Sequence, residues 1–397
     1  MQINNSFMLT FFYNNSAAQA VSLDFDLNQR LDEWESLRKV MVLRVPDMFT
    51  RDEWAYLITF LQRDQLYSIF TQTFGMPIDV PDSRAIDALF RARQKVSVWL
   101  PNNVSLLGPL VLIMISLTGA TITLKVGSRS EDICQAFLEY CITHLPGSSL
   151  QSYLSSKVCV RQFSRDSTAN LELARADVRI VFGSDATVKA ISALPHLANS
   201  VLVAFADHQS EVWAEIAALD DASLVQLIKV FGIYGTMGCT SPRRLRLVDA
   251  DEDQCKVVAN RLAALWPFAQ RRDVSMSVAS QNVAWRQVLA AKGWCSQLTA
   301  RNAAVLATGH PGLLETVGAM TLFIIPCRRD DLRRTLPDNI QTVGHVLLEP
   351  KSPRWLDILA DTAIKRFVPV AMMHHFSPIW DGSNFWRSLF EQVAIIK

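Results

Sequence analysis

Thr236-Met237-Gly238-Cys239-Thr240-Ser241-Pro242 places one cysteine in a short turn of small residues. The apolar run Leu224 to Tyr234 precedes it with the density of a buried helix, and Arg243-Arg244-Leu245-Arg246-Leu247-Val248 follows with the alternation of a strand. A thiol held on a turn between two rigid elements can open onto a cleft, with backbone amides close by to stabilise a thiolate and later an oxyanion. The competing reading is a buried thiol, because free cysteine is among the most buried residue types. Three further segments could carry chemistry. Leu100-Pro101-Asn102-Asn103-Val104-Ser105 leaves a strand and opens a helix, so its amide side chains either project as hydrogen-bond donors or cap that helix. Thr123-Leu124-Lys125-Val126-Gly127-Ser128-Arg129 ends a strand with two cations, which either hold ribose and phosphate or form a solvated pair. Val181-Phe182-Gly183-Ser184-Asp185-Ala186-Thr187 is a strand, a Gly-Ser turn and a helix start, which receives a phosphate or simply caps the helix. It lacks the GxGxxG fingerprint of a dinucleotide site.

The elements that must position these residues are those of an α/β protein. From Lys95 onward short apolar runs alternate with helices: Val96 to Leu100, Thr121 to Lys125, a helix from Ser130 to His144, Asp177 to Phe182, a helix from Asp185 to Leu194, then Ser200 to Phe205. Such alternation predicts βαβ units and a largely parallel sheet covered on both faces, suited to a nucleotide. Beyond Asp207 the pattern continues with a helix from Asp251 to Trp266 that Pro267 ends, strands at Thr321 to Ile325 and Thr342 to Leu348, and helices near Arg354 to Ile364 and Phe385 to Ile396. The first ninety or so residues read as a helical lead-in, with a capped start at Thr50-Arg51-Asp52-Glu53. The expected organisation is a helical region 1–94, a cofactor-binding α/β domain 95–207, a catalytic α/β domain 208–370 carrying Cys239, and a C-terminal segment 371–397 that packs back on the cofactor domain or on an oligomer partner. No low-complexity linker separates them.

Bulk composition narrows the function. The 397 residues are 50% hydrophobic and 19% charged, as in a compact globular protein. Thirty-nine basic against 38 acidic residues give a net charge of +1, so no global field draws in nucleic acid or an acidic membrane. The seven cysteines show no CxxC spacing, which points to reduced thiols and a cytoplasmic setting. Met1 to Ala20 lacks a basic n-region and a long h-region, so no signal peptide is expected. The uncharged stretch Leu106 to Leu124 is long enough to span a membrane, but Gly108-Pro109 and Thr118-Gly119-Ala120 divide it into a helix and a strand. His374-His375 are taken as structural rather than metal-binding, since adjacent residues on a strand point to opposite faces.

Taken in order, the four segments resemble the aldehyde dehydrogenase superfamily, and more closely its acyl-CoA reductase branch, which includes the fatty acyl reductases of bacterial bioluminescence. The resemblance runs from about residue 95 to the C-terminus. It implies that Asn103 helps form an oxyanion hole, that Lys125 with Ser128 contacts the adenosine ribose, that Gly183 and Ser184 lie by the cofactor phosphates, and that Cys239, between Gly235 and Pro242, is the nucleophile. Where hydrolytic relatives carry a glutamate general base, this chain reads Leu202-Val203-Ala204-Phe205-Ala206. Such a base activates the water that hydrolyses a thioester intermediate, so its absence suits an enzyme that forms or consumes thioesters without water. The superfamily's later glutamate, which holds the nicotinamide ribose, has no match.

The expected activity is NAD(P)H-dependent reduction of an acyl-CoA or acyl-carrier-protein thioester to an aldehyde through an acyl-Cys239 enzyme. NADPH is favoured over NADH, because Lys125 and Arg129 stand where an adenosine 2′-phosphate could lie. An acyl-activating enzyme is a further partner class, a homo-oligomer is expected, and no metal is called for. Two other classes stay open: a cysteine acyltransferase or thioesterase, for which His208 is the nearest histidine in sequence, and a non-catalytic acyl-carrier interaction protein.

Overall fold

The computed structural model describes residues 8–14, 17–79, 86–127, 133–270, 274–313 and 318–395. The chain divides into two compact units, one comprising Met1–Ala206 with Phe376–Lys397 and the other Asp207–His375.

In the first unit, five parallel strands form a sheet in the order Val158–Gln162, Thr121–Val126, Lys95–Trp99, Val178–Phe182, Val201–Phe205. The chain lays down Lys95–Trp99 first, steps outward twice on one side, and then returns to build the other. That return makes the pair Lys95–Trp99 and Val178–Phe182, with Trp99 opposite Val181, the topological switch point of the sheet. Open parallel sheets bind ligands at the carboxyl ends of the strands flanking such a point. Val178–Phe182 is buried along its whole length, as a strand covered on both faces must be. The helix Leu107–Ser116 is buried from Gly108 to Ser116 and apolar on every side, so it is a core helix. Gly119, with φ +76°, turns the chain back into the Thr121–Val126 strand. No helix among the described residues is long and apolar enough to cross a membrane.

The remainder of this unit corrects two expectations. The lead-in does contain the helices Leu27–Met41, Arg51–Phe60 and Arg63–Phe74, the second opened by a complete Thr50–Glu53 capping box. It is not helical throughout. Met8–Asn14, Ala17–Leu23, Met76–Ile78 and Ile86–Ala92 are strands of a second five-stranded sheet, completed by Phe390–Ala394. The expected helix from Phe385 to Ile396 is therefore that fifth strand, antiparallel to Ile86–Ala92 with Phe390 opposite Ala92. Only Phe390 of its five residues is buried, so it has no apolar stripe to bury as a helix, and its backbone is satisfied by a strand distant in sequence.

The second unit is built on a seven-stranded sheet ordered Cys295–Leu298, Val305–Thr308, Thr321–Cys327, Pro242–Val248, Gln209–Glu215, Ile340–Val346, Arg366–Pro369. All neighbours are parallel except the edge pair Cys295–Leu298 and Val305–Thr308. The helices Asp221–Tyr234 and Glu252–Ala269 pack on one face, where Phe231, Leu245, Leu262 and Trp266 share a core. Trp213, Val343, Trp355 and Ile358 fill the other face. The second helix passes through Pro267 instead of stopping there. A proline so near the carboxyl end removes only one intrahelical donor, and Gln270 N–H still closes the last turn on Trp266 O at 2.9 Å. Within the sheet, Glu211 is 1% exposed, accepts Trp213 Nε1–H at 2.7 Å and lies 2.7 Å from Arg246 Nε and 3.2 Å from Arg244 Nη1. Burial alone would lower the Arg246 pKa, but the Glu211 carboxylate more than offsets this and raises it above its ordinary value.

Candidate active site

Cys239 sits where the sequence places it, on the turn joining the helix Asp221–Tyr234 to the strand Pro242–Val248. Gly235 ends the helix at φ 56° and ψ −129°, a conformation in which a side chain is strained. An added Cβ there would fall on the Ala319 carbonyl oxygen and 2.5 Å from Met320 Sδ. The turn is then fastened residue by residue. Thr236 N–H donates to Ala319 O at 2.8 Å, and its hydroxyl lies 3.1 Å from both Gly318 O and Ala319 O. Ser210 Oγ donates to Cys239 O at 2.6 Å. Thr240 Oγ1 is 2.7 Å from His374 Nδ1. Thr236, Gly238, Thr240 and Ser241 are buried, whereas Cys239 is partly exposed. Cys159 and Cys295 are more exposed, so what distinguishes Cys239 is its fixed turn and not its accessibility. The turn lies at the amino ends of the Gln209–Glu215 and Pro242–Val248 strands, just past a helix carboxyl terminus.

Contrary to the expectation of a strand, His374 lies on a turn that follows the short 3-10 helix Val370–Met372. Its Nε2 is 2.8 Å from Val230 O. A carbonyl only accepts, so Nε2 carries the proton and Nδ1 accepts the Thr240 hydroxyl, an assignment made from the partners. Burial pushes the His374 pKa down to about 4, with the Arg366 charge adding to the effect, so the ring is neutral at ordinary pH. Both ring nitrogens are thus engaged by neighbouring groups. His208, the nearest histidine in sequence, precedes the Gln209–Glu215 strand and is partly exposed.

The other candidate residues lie in the first unit, at the carboxyl edge of its parallel sheet. The loop after Lys95–Trp99 carries Asn102 and Asn103, both exposed. The helix that follows has Leu106 as its N-cap residue, without a side-chain cap, and Ser105 Oγ donates to Glu53 Oε1 at 2.6 Å. Ser105 is thus engaged with the Arg51–Phe60 helix of the lead-in. Asn102 lies against Gly127, where an added Cβ would overlap its side-chain amide, so the loops after the first two strands touch. Lys125 is half-buried near the end of its strand, with Nζ 5.8 Å from the Phe163 ring centre, and burial lowers its pKa. Arg161, opposite Lys125 in the next strand, approaches the same ring at 5.5 Å and pairs with Glu172 at 2.9 Å. Arg161 and Phe163 belong to no motif in the sequence, and the signal that could have found them is the strand-like alternation of Val158-Cys159-Val160-Arg161-Gln162-Phe163. Across the switch point, Gly183 N–H bonds Phe205 O at 3.0 Å. Ser184 caps the helix Asp185–Ser192, its Oγ accepting from Thr187 N–H at 3.4 Å, and the Asp185 side chain occupies the first turn. Both features address the positive end of that helix from within the chain. Ser128 and Arg129 lie outside the described residues. Among the described residues no group of three or more His, Cys, Asp or Glu could hold a metal ion.

Asn103, Lys125, Gly183 and Ser184 thus share one edge of one doubly wound sheet, and Cys239 occupies a clamped turn of the other unit. The first set suits a dinucleotide in its chemistry: a half-buried ammonium for ribose or phosphate, an aromatic ring beside it, and loops on both sides of a switch point.

A sequence profile of the family described as acyl-CoA reductase (LuxC) matches residues 16–390. Among solved structures, the chain is similar to an aldehyde dehydrogenase from Bartonella henselae, with 13% identity over 94% of this chain and 87% of that one and a TM-score of 0.59. It is similar to a glyceraldehyde-3-phosphate dehydrogenase from Methanocaldococcus jannaschii, determined with NADP, with 11% identity over 94% and 90% of the two chains and a TM-score of 0.61. A salicylaldehyde dehydrogenase from Pseudomonas putida, determined with salicylaldehyde, gives 12% identity, 94% and 87% coverage and a TM-score of 0.61. At these identities the likeness shows the fold, which is aldehyde dehydrogenase-like. No curated protein sequence matches the chain.

Proposed function

The chain belongs to the acyl-CoA reductase (LuxC) family, oxidoreductases that reduce acyl groups to aldehydes, and from that membership we propose a covalent route in which Cys239 is the nucleophile. Cys239 Sγ attacks the thioester carbonyl of an acyl-CoA or acyl-carrier protein, forming a C–S bond and an oxyanion. The oxyanion collapses, the carrier thiol leaves with the proton lost by Cys239, and the acyl group remains on Cys239. We assign the Asn103 side chain and the Cys239 amide to the oxyanion. A reduced nicotinamide, when bound, supplies the hydride that takes the acyl group to the aldehyde level. Cys239 then departs as a thiolate, and a proton from solvent restores the thiol for the next thioester. Lys125 and Gly183 would hold the dinucleotide, together with Ser184 and with Ser128 and Arg129, which follow Lys125 in sequence. No carboxylate occurs in Leu202-Val203-Ala204-Phe205-Ala206 to activate water against the acyl-enzyme.

The observation that carries this reading is the partly exposed thiol of Cys239 on a turn fastened at Thr236, at the Cys239 carbonyl and at Thr240. We further propose NADPH as the preferred cofactor, because the Lys125 ammonium and the Arg161 guanidinium flank Phe163 at the strand ends, and NADPH carries the additional phosphate. A cytoplasmic homo-oligomer acting with an acyl-activating enzyme completes the proposal. The test is incubation with a long-chain acyl-CoA without nicotinamide, followed by peptide mass spectrometry. An acyl adduct on Cys239 is expected, released as aldehyde when NADPH is added and absent in Cys239→Ala. An adduct on another cysteine overturns the assignment.

A further inference from the structure

We propose that Ser210, Thr240 and His374 are positioning residues for Cys239, holding its peptide from two sides so that the sulfur and the amide keep one orientation. The inference rests on the reading of Cys239 as nucleophile and gives Cys239 and Thr240 partners that the motif around them does not reveal. On one side, Ser210 Oγ accepts Thr342 N–H at 3.3 Å and donates to Cys239 O at 2.6 Å. On the other side, Thr240 donates to His374 Nδ1 at 2.7 Å, and His374 Nε2–H donates to Val230 O at 2.8 Å. Val230 belongs to the helix that leads into the nucleophile turn, so His374 ties the residue after Cys239 to the element before it.

The two sides are joined. Arg366 Nη1 donates to Thr342 Oγ1 at 3.3 Å and to Met373 O at 3.1 Å, and Arg366 Nη2 donates to His375 O at 2.8 Å. Arg366 thereby fixes the turn that presents His374 and the strand that presents Thr342. Ser210, Thr240, Thr342, Arg366 and His374 are all buried, so these bonds are shielded from water and cannot be exchanged for it without cost. A nucleophile needs such support because a misplacement of about 1 Å costs on the order of a hundredfold in rate.

The experiment uses the full chain with a long-chain acyl-CoA and NADPH. Thr240→Val removes the hydroxyl at nearly constant volume, Thr240→Ser retains it, and His374→Asn keeps an acceptor near the place of Nδ1 whereas His374→Phe does not. Thr240→Val and His374→Phe should lower kcat about ten- to a hundredfold, leave the KM for NADPH within about twofold, and slow alkylation of Cys239 by iodoacetamide in parallel. Thr240→Ser should recover most of the loss, His374→Asn, which replaces the Nδ1 acceptor but not the Nε2–H donor, should recover part of it, and Ser210→Ala should resemble Thr240→Val. If a variant does not fold, the remaining members of the set carry the test. Unchanged kcat and alkylation rates, with only a lowered melting temperature, would make the residues structural and overturn the proposal. Acylation of wild-type protein separates the two ideas: label on Cys239 with unaffected variants sinks the clamp alone, and label on another cysteine sinks the nucleophile assignment beneath it.

Discussion

Gly235→Ala tests whether the turn carrying Cys239 is as tightly determined as its geometry implies. At φ 56° and ψ −129°, alanine pays about 1–3 kcal/mol of backbone strain. Its Cβ would also collide with the Ala319 carbonyl oxygen, which receives the Thr236 N–H bond of 2.8 Å. Losing that bond adds about 1 kcal/mol, for a total of about 2–4 kcal/mol if the turn holds its place. The alternative response is for the turn to slide by about 1 Å, which spares stability but displaces Cys239 and costs on the order of a hundredfold in turnover. Either way one of two readouts must move: the urea midpoint, or the single-turnover rate of aldehyde formation. Gly147→Ala is the matched control, because Gly147 also has a positive φ, +74°, but nothing lies within 4 Å of an added Cβ. It should lose about 1 kcal/mol of stability and no activity. The reasoning is refuted if Gly235→Ala matches Gly147→Ala in both measurements.

Stability should fall as pH drops from about 6.5 towards 4. The folded chain holds the His374 pKa at about 4, below its ordinary 6.5, so across that window the unfolded chain binds a proton that the folded chain refuses. The loss amounts to about 3 kcal/mol, and it is read as the difference in pH slope between wild type and His374→Phe in urea unfolding; equal slopes would contradict it. Glu211→Ala should destabilise the second unit by about 3–5 kcal/mol, since it leaves the buried Arg246 without its carboxylate. Glu211→Leu with Arg246→Met should recover much of that in thermal or urea melts, and no recovery would mean that the pair is not the cause. Arg161→Ala should raise the KM for NADPH about tenfold while that for NADH moves less than about twofold; an equal rise for both would show that Arg161 does not read the 2′-phosphate.

The parallel sheets and the position of Cys239 on a turn were legible in the sequence because they depend on local signals. Apolar runs at strand length, helical periodicity between them and a cluster of small residues after a buried helix are properties of neighbouring residues. The uncharged stretch Leu106 to Leu124 is divided by its own Gly119, and Thr50 with Glu53 forms its capping box from within four residues. Tertiary structure decided the rest. Phe390–Ala394 is a strand only because Ile86–Ala92 offers its edge, about three hundred positions earlier in the chain. Gln209–Glu215 contains Ser210, Glu211 and Glu215, which hide its burial from a reading by hydropathy, because Glu211 is neutralised by arginines of the neighbouring strand. His374 could not be linked to Cys239 by spacing, since 134 positions separate it from Thr240. A hydrogen bond is a short-range interaction with directional demands, so its partners are fixed by where the backbone brings them and not by their distance along the chain. The sequence marks Cys239 as a candidate, but the groups that hold its turn are chosen by the fold.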